Sequence, residues 1–297
     1  MQLAMKEAEY KTLKRLIETE FGLSLKTHTR ETLAKKIQPR LRALNLNSFP
    51  EYCEYLSESP RARIEFHDLP GYIMNTESYF LREFAQFHAF LEIFRKKKRE
   101  KIFQTDRTFK ILSAGCAEGQ EPYSISMVLK TSSDNLHGWK IQIHGLDVNV
   151  YALNKAQSGV YSGYSLRGPR TKMIEHYFQK TKASSCDTPR ECYRLKPEII
   201  RSVEYRHGNI LQPLVLQGLE KLDFIFCRNV LMYMSENAID RIALNLWEAL
   251  ADDGHLFIGQ SESLRKHDDL FTAVRHPDVT FYRKKPACMK NDVRLDR

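Results

Sequence analysis

Apolar residues in the first part of the chain recur at helical spacing. Tyr10, Leu13, Ile17 and Phe21 form one stripe, and Leu33, Ile37, Leu41 and Leu44 form another, the rhythm of amphipathic helices. Pro39 falls inside the second stripe, where its missing N–H predicts a kink or a helix restart. FPEYCEYLSESP predicts another short helix, ending before Pro60. From about Phe109 the period shortens. FKILSA, IQIHGLD, VEYRHGN, DFIFCRN and HLFIGQ are short β-type runs, separated by helical segments such as EPYSISMVLK and ENAIDRIALNLWEAL. Strands alternating with helices predict βαβ units and a mostly parallel, doubly wound α/β sheet. LFTAVRHPDVTFYRKK reads instead as a closing antiparallel hairpin. The expected organisation is an N-terminal α-helical domain over residues 1–75 and a sheet domain over 76–297, with a small β insert at about 170–200.

Composition adds little to this picture: 297 residues, 42% hydrophobic and 28% charged, are ordinary for a folded protein. No apolar run approaches the roughly 20 residues that span a bilayer. MQLAMKEAEYK carries no signal-type apolar stretch, so a cytoplasmic protein is expected. Six cysteines include no C-x-x-C pair, which predicts reduced, buried thiols rather than a zinc site or disulfide framework. The histidines show no metal-ligand spacing, and no metal is expected. The net charge of +9 points to an acidic partner, whether nucleic acid, anionic membrane or acidic protein. FRKKKREK (Phe94 to Lys101) reads as a solvated helix end. Lys35, Lys36, Arg40 and Arg42 give the helical region a basic face.

The densest chemical signal is ILSAGCAEGQEPYS, from Ile111 to Ser124, at the end of the first strand run. In open α/β sheets, ligands sit beyond the carboxyl ends of strands at the topological switch point. Gly115 and Gly119 allow a tight turn and close ligand approach. No Gly-Lys-Ser/Thr follows, so a P-loop is excluded, and the spacing does not match G-x-G-x-x-G. Glu118 and Glu121 put negative charge where a phosphate would lie. A phosphate-free nucleoside fits better, with Asp147 at the end of the second strand run accepting from ribose hydroxyls. Glu121 stands ready to face the cationic part of such a ligand. S-adenosylmethionine, with ribose, adenine and a sulfonium, has this chemistry.

Several stretches resemble one family, the CheR-type chemotaxis receptor methyltransferases, which methylate glutamate side chains. They are SAGCAEGQEPYSISM, NTESYFLRE (Asn75 to Glu83), GLDVNVYALNKAQSGVYS, DFIFCRNVLMYM and HLFIGQSESL, in the family's order from about residue 70 to 265. The resemblance implies a Rossmann-like S-adenosylmethionine-dependent methyltransferase sheet preceded by a small all-α domain. It implies cofactor contacts at Thr76, Ser78, Arg82, Gly115, Glu121, Asp147, Asn209, Ile210, Arg228 and Asn229, and catalytic roles for Arg82 and Tyr233. The implied partner is the cytoplasmic helices of a chemoreceptor, docked on the basic helical face through Lys36, Arg40 and Arg42. The chain departs from the family pattern at Leu81, Gln120, Asn149, Met234 and Gln260.

Methyl transfer from a sulfonium to a carboxylate needs no general base, because a glutamate of pKa about 4.3 is ionised at neutral pH. That accounts for the lack of a Ser-His-Asp or Cys-His constellation. Two rival classes are weighed against the enzyme. A catalytically silent S-adenosylmethionine-binding signalling module would have no need of Arg82, Arg228, Asn229 and Tyr233 together. A nucleic-acid methyltransferase would carry an Asn-Pro-Pro-aromatic motif where CRNVLMY stands.

Overall fold

The computed structural model describes residues 3–25, 28–103, 105–132, 134–168, 172–181, 191–219 and 221–286. Five helices open the chain: α1 (Glu7–Phe21), α2 (Arg30–Ala43), α3 (Phe49–Glu58), α4 (Ala62–Asp68) and α5 (Pro70–Ile73). Thr29 and Ser48 cap α2 and α3 by accepting the N–H groups of Thr32 and Glu51, satisfying donors that a helix start leaves unpaired. The two apolar stripes meet in one cluster holding Leu13, Ile17, Phe21, Leu33, Ile37 and Leu41. Contrary to the expected break, α2 runs unbroken through Pro39. Pro39 is exposed, so water can serve the carbonyl that loses its donor.

The basic face is not as the sequence suggests. Arg40 is buried: its Nε and Nη2 donate to both Glu65 carboxylate oxygens at 2.9 and 2.6 Å, and Nη2 also reaches Asp68 at 3.2 Å. The Tyr52 hydroxyl donates to the same Glu65 at 2.6 Å. Arg40 therefore fastens α2 to α3 and α4 and is withdrawn from any docking surface. Lys36 turns inward too, donating to the Ile73 carbonyl at 2.7 Å beside His28. Lys35 and Arg42 remain exposed.

The rest of the chain builds a seven-stranded sheet. After α6 (Phe84–Lys101) come β1 (Thr108–Ala114), α7 (Gln120–Thr131), β2 (Lys140–Asp147) and α8 (Val150–Ser158). A three-stranded antiparallel sheet follows, from β3 (Val160–Ser162), β4 (Phe178–Thr181) and β5 (Cys192–Leu195), with α9 (Lys172–Tyr177) between the first two. The main sheet resumes after α10 (Pro197–Ile200) with β6 (Val203–His207), β7 (Leu222–Cys227), α11 (Glu236–Ala249), β8 (Leu250–Ile258), β9 (Phe271–His276) and β10 (Val279–Lys284). Its order is β6-β2-β1-β7-β8-β10-β9, parallel except for β10, which runs antiparallel to β8 and β9. The expected closing hairpin is β9–β10. Chain order turns back at β1, which places the glycine turn after β1 at the switch point.

The central strands are buried on both sides. Phe224 and Phe226 of β7 face Phe87, Phe90 and Phe94 of α6, while Ile225 and Cys227 face Ile242 and Leu246 of α11. Alternation by two along one strand thus feeds two cores. The basic run at the end of α6 is partly structural. Lys97 is buried and pairs with Asp253 and Asp223, and Lys101 reaches Asp223 at 2.7 Å. Among the cysteines, Cys53, Cys116 and Cys227 are free thiols, whereas Cys192 is disulfide-bonded, against the expectation of reduced thiols. No helix among the described residues is long and apolar enough to cross a membrane.

His255 on β8 lies against Phe224 and Phe281, and burial, with nearby Lys97, pushes its pKa down to about 4. Between that value and the ordinary 6.5 the unfolded chain binds more protons than the folded one, so stability falls with falling pH. Lowering the pH from 7 to 4.5 should cost about 2–3 kcal/mol through this residue alone. His255→Phe should flatten that part of the acid limb in urea unfolding at the two pH values; an unchanged limb would refute the assignment.

Candidate active site

The loop between β1 and α7 is built on left-handed backbone. Gly115 has φ 71°, and a Cβ there would lie 2.4 Å from the Val230 side chain, so only glycine lets the turn pack against the segment after β7. Its N–H and that of Cys116 donate to the Leu146 carbonyl on β2 at 2.7 and 3.1 Å. Asp147, the last residue of β2, accepts from the backbone N–H of Ala117 and Asn149, both at 2.8 Å. Burial pushes its carboxyl above the ordinary range, and the backbone amides pull the other way. Asn149 caps α8 by accepting from Tyr151 and Ala152 at 3.1 and 3.2 Å. Asn149, one of the departures from the family pattern, thus does the helix-capping work for α8.

Glu121 is not the bare counter-ion expected. Its carboxylate is largely but not fully buried, accepts from the Ser113 hydroxyl at 2.7 Å and pairs with Arg228 at 3.0 Å. Desolvation raises its pKa while Arg228 opposes that rise. Arg228 also donates to the Arg82 carbonyl at 2.5 Å and to the Glu83 carboxylate at 3.2 Å. One guanidinium thus serves two carboxylates, so a fully ionised cluster has more negative than positive charge. Cys116 and Cys227 lie buried nearby, and burial raises both thiols well above their ordinary pKa, which leaves them un-ionised at neutral pH.

Two adjoining cavities open at this edge of the sheet. The larger, about 160 Å³, is lined by Thr76, Gly115, Asp147, Asn209, Ile210, Asn229 and Tyr233. The smaller, about 50 Å³, is lined by Thr76, Ser78, Arg82, Gly115, Glu121, Arg228 and Asn229. The residues given cofactor or catalytic roles all line one or other of these two cavities, which share Thr76, Gly115 and Asn229, whereas Glu118 and Gly119 of the glycine turn line neither. Arg82 stacks over Tyr79 with its guanidinium carbon 5.7 Å from the ring centroid, and it has no ion pair among the described residues. Tyr233 sits on the short turn Leu231–Tyr233 and is 39% exposed.

Strain concentrates here. Of the six non-glycine residues with positive φ among the described residues, Leu81, Glu83, Ala117 and Asn229 lie around the cleft, the pattern of backbone held in place by its surroundings for a function. Glu262 is one such support. Its carboxylate accepts from the backbone N–H of Asn229, Met232 and Gly259 at 2.9, 3.1 and 2.6 Å, and so pins the turn that carries Tyr233.

Sequence reasoning missed Glu83, Ser113 and Glu262, although all three lie inside motifs that were singled out. It also missed one wall of the larger cavity, which is made by Phe21, Leu23, Lys36 and Met74 of the helical region. That region is stitched to the sheet. Ser24 N–H donates to the Tyr233 carbonyl at 2.7 Å, Ser235 N–H to the Gly22 carbonyl at 2.8 Å, and the Asn209 side chain to the Glu20 carbonyl at 3.0 Å. No local sequence signal marks these pairings.

Comparison with known proteins agrees with this architecture. Residues 76–280 match the family model described as CheR methyltransferase, SAM binding domain, and residues 8–69 match CheR methyltransferase, all-alpha domain. A chemotaxis protein methyltransferase of Borreliella burgdorferi is 27% identical over 265 residues, covering 88% of this chain and 90% of that protein. One of Escherichia coli is 28% identical over 274 residues, covering 91% and 90%. A probable biofilm formation methyltransferase, WspC, of Pseudomonas aeruginosa is 29% identical over 249 residues, covering 84% of this chain and 56% of the longer relative. With the all-α and the S-adenosylmethionine-binding units both matched in order, the chain belongs to the CheR methyltransferase family.

Proposed function

We propose that this protein transfers the methyl group of S-adenosylmethionine to the side-chain carboxylate of glutamates on the cytoplasmic helices of chemoreceptors, giving glutamyl methyl esters. The observation that carries this reading is the composition of the cleft. A strand-end carboxylate, Asp147, lies at one end, and at the other an Arg82 without a counter-ion among the described residues, beside the Glu83–Arg228–Glu121 cluster. Asp147 suits ribose hydroxyls, and the cluster suits the positive groups of the cofactor. The cofactor supplies an activated methyl group on a sulfonium.

The residues then do three things. Arg82 offers a planar fork to a carboxylate, either the amino-acid end of the cofactor or the acceptor glutamate. Tyr233 sets a ring and a hydroxyl at the open side of the cleft, held by its carbonyl bond to Ser24. The wall from the helical region, with Phe21, Leu23 and Met74, excludes water around the reacting atoms, which favours an aligned displacement. No proton has to be removed, since the acceptor is already a carboxylate. A module that holds the cofactor without turnover, the rival reading, leaves Arg82, which has no ion pair among the described residues, and the pinned Tyr233 turn without a purpose.

Incubation with labelled S-adenosylmethionine and receptor-rich membranes, followed by base, tests the reaction. Methyl esters release methanol, whereas N-methyl groups do not. Absence of base-labile label across a panel of receptors would overturn the proposal. Tyr233→Phe should lower kcat about tenfold or more, roughly 1.4 kcal/mol or more of transition-state stabilisation, with cofactor Kd nearly unchanged. Unchanged turnover removes the hydroxyl from the mechanism.

A further inference from the structure

The smaller cavity opens beneath a lip made by two distant stretches of chain. Tyr79 and Arg82 come from the segment before α6, and Tyr164 and Arg167 from the turn that follows β3. The Arg167 guanidinium carbon lies 3.8 Å from the Tyr164 ring centroid and 4.5 Å from that of Tyr79. The Arg82 guanidinium carbon lies over the Tyr79 ring at 5.7 Å, so rings and guanidinium groups alternate along the lip. One carboxylate holds the arrangement. Glu77 accepts from Arg167 at 2.9 Å and from the Tyr164 hydroxyl at 3.0 Å.

The lip is fixed rather than draped. The Phe80 N–H donates to the Ser165 carbonyl at 3.0 Å. Gly168 packs so closely that a Cβ there would lie 2.4 Å from the Phe80 carbonyl oxygen. Yet its outer face is open: Tyr164 is 62% exposed, and the side chains of Arg167 and Glu77 are 27% and 54% exposed. Two guanidinium groups stand against one carboxylate among the described residues.

We propose that this lip is a docking surface for the protein substrate, taking the acidic helical stretch on either side of the methyl-accepting glutamate. The inference rests on the methyl-transfer reading for the identity of that substrate, and on the lip's own geometry for its chemistry. Rigid tyrosines and a stacked arginine lose little entropy on binding and make strong contacts in interfaces. A net positive lip beside a carboxylate-methylating pocket selects neighbouring carboxylates by charge. Arg167 already donates one N–H to the Tyr164 carbonyl and one to Glu77, both at 2.9 Å, so its plane is fixed and its remaining N–H groups meet a carboxylate without being ordered first.

The test uses the full chain saturated with S-adenosylhomocysteine. The probe is a fluorescein-labelled helical peptide of about 20 residues, long enough for several turns, with acidic residues flanking a central glutamate. Anisotropy gives its Kd, and calorimetry gives the cofactor Kd separately. Arg167→Ala and Tyr164→Ala should each weaken the peptide about tenfold, as loss of an interface anchor does, and leave cofactor affinity unchanged. Arg167→Lys, which keeps the charge but loses the planar stack, should recover only part of the loss. A peptide with lysines in place of the flanking acids should not bind.

Unchanged peptide affinity in Arg167→Ala and Tyr164→Ala overturns the proposal, as does failure of the native chain to bind the acidic peptide. A parallel loss of cofactor affinity and thermal stability in both variants also overturns it, since that marks a clip holding residues 77–82 and nothing more. Peptide binding that depends on Arg167 but is followed by no methyl transfer supports the lip while refuting the proposed reaction.

Discussion

Arg228→Met is expected to destabilise the fold by about 3–5 kcal/mol, the cost of breaking a buried ion pair from one side. The Arg228 side chain is only 2% exposed, and those of Glu83 and Glu121 are each 14% exposed. Removing the guanidinium leaves two largely buried carboxylates without their shared counter-ion and frees the Arg82 carbonyl as well. The pH dependence carries a sign. Glu121 already has its pKa raised by burial, and Arg228 is the main group opposing that rise. In the variant its folded pKa climbs further above the ordinary 4.5. The folded chain then binds more protons than the unfolded one between the two values, so stability falls as pH rises through that window. The defect should be largest at neutral pH and should shrink on acidification. Adding Glu121→Gln should recover part of it. Urea unfolding at pH 7 and pH 5 measures both effects, and a loss below about 1 kcal/mol, the range of exposed pairs, would show that the cluster is not the buried network described.

Arg82→Ala should behave in the opposite way. Its guanidinium forms no ion pair among the described residues and only stacks on Tyr79, so the urea midpoint should hardly move. If its fork receives a carboxylate in the reacting complex, kcat/KM should fall about 10²–10³-fold, equivalent to roughly 3–4 kcal/mol. Initial-rate measurements over cofactor and receptor concentration separate the two binding partners. A rise confined to the cofactor KM assigns Arg82 to the amino-acid end of the cofactor, and a fall in kcat assigns it to the transition state. A midpoint that drops as far as the Arg228 variant's would contradict the difference between the two arginines.

Much of the fold was legible because its signals are local. The stripe Leu13, Ile17 and Phe21, the alternation in DFIFC and the turn Gly115–Gly119 are each set within a few residues. The ligand class followed as well: acids in the glycine turn and the missing lysine excluded a phosphate, and Asp147 falls where β2 ends. Arg40 was misread because α2 alone shows a basic face. Its partner Glu65 lies 25 residues on and is met only when α4 folds back. Lys97 was misread in the same way, since Asp253 and Asp223 come from the far side of the sheet domain.

The sequence by itself determined the two kinds of domain, the parallel sheet with its switch-point turn, and the set of residues from which a cleft could be built. Short-range periodicity and turn chemistry need no knowledge of what lies opposite. Only the tertiary structure decided what each charge is for. Glu121 and Arg228 are 107 residues apart and pair with each other, Glu83 and Arg228 are 145 apart, and Arg82 has no ion pair among the described residues. Charge pairing is decided by distance in space and by exclusion of water. Neither is written in the spacing of residues along the chain.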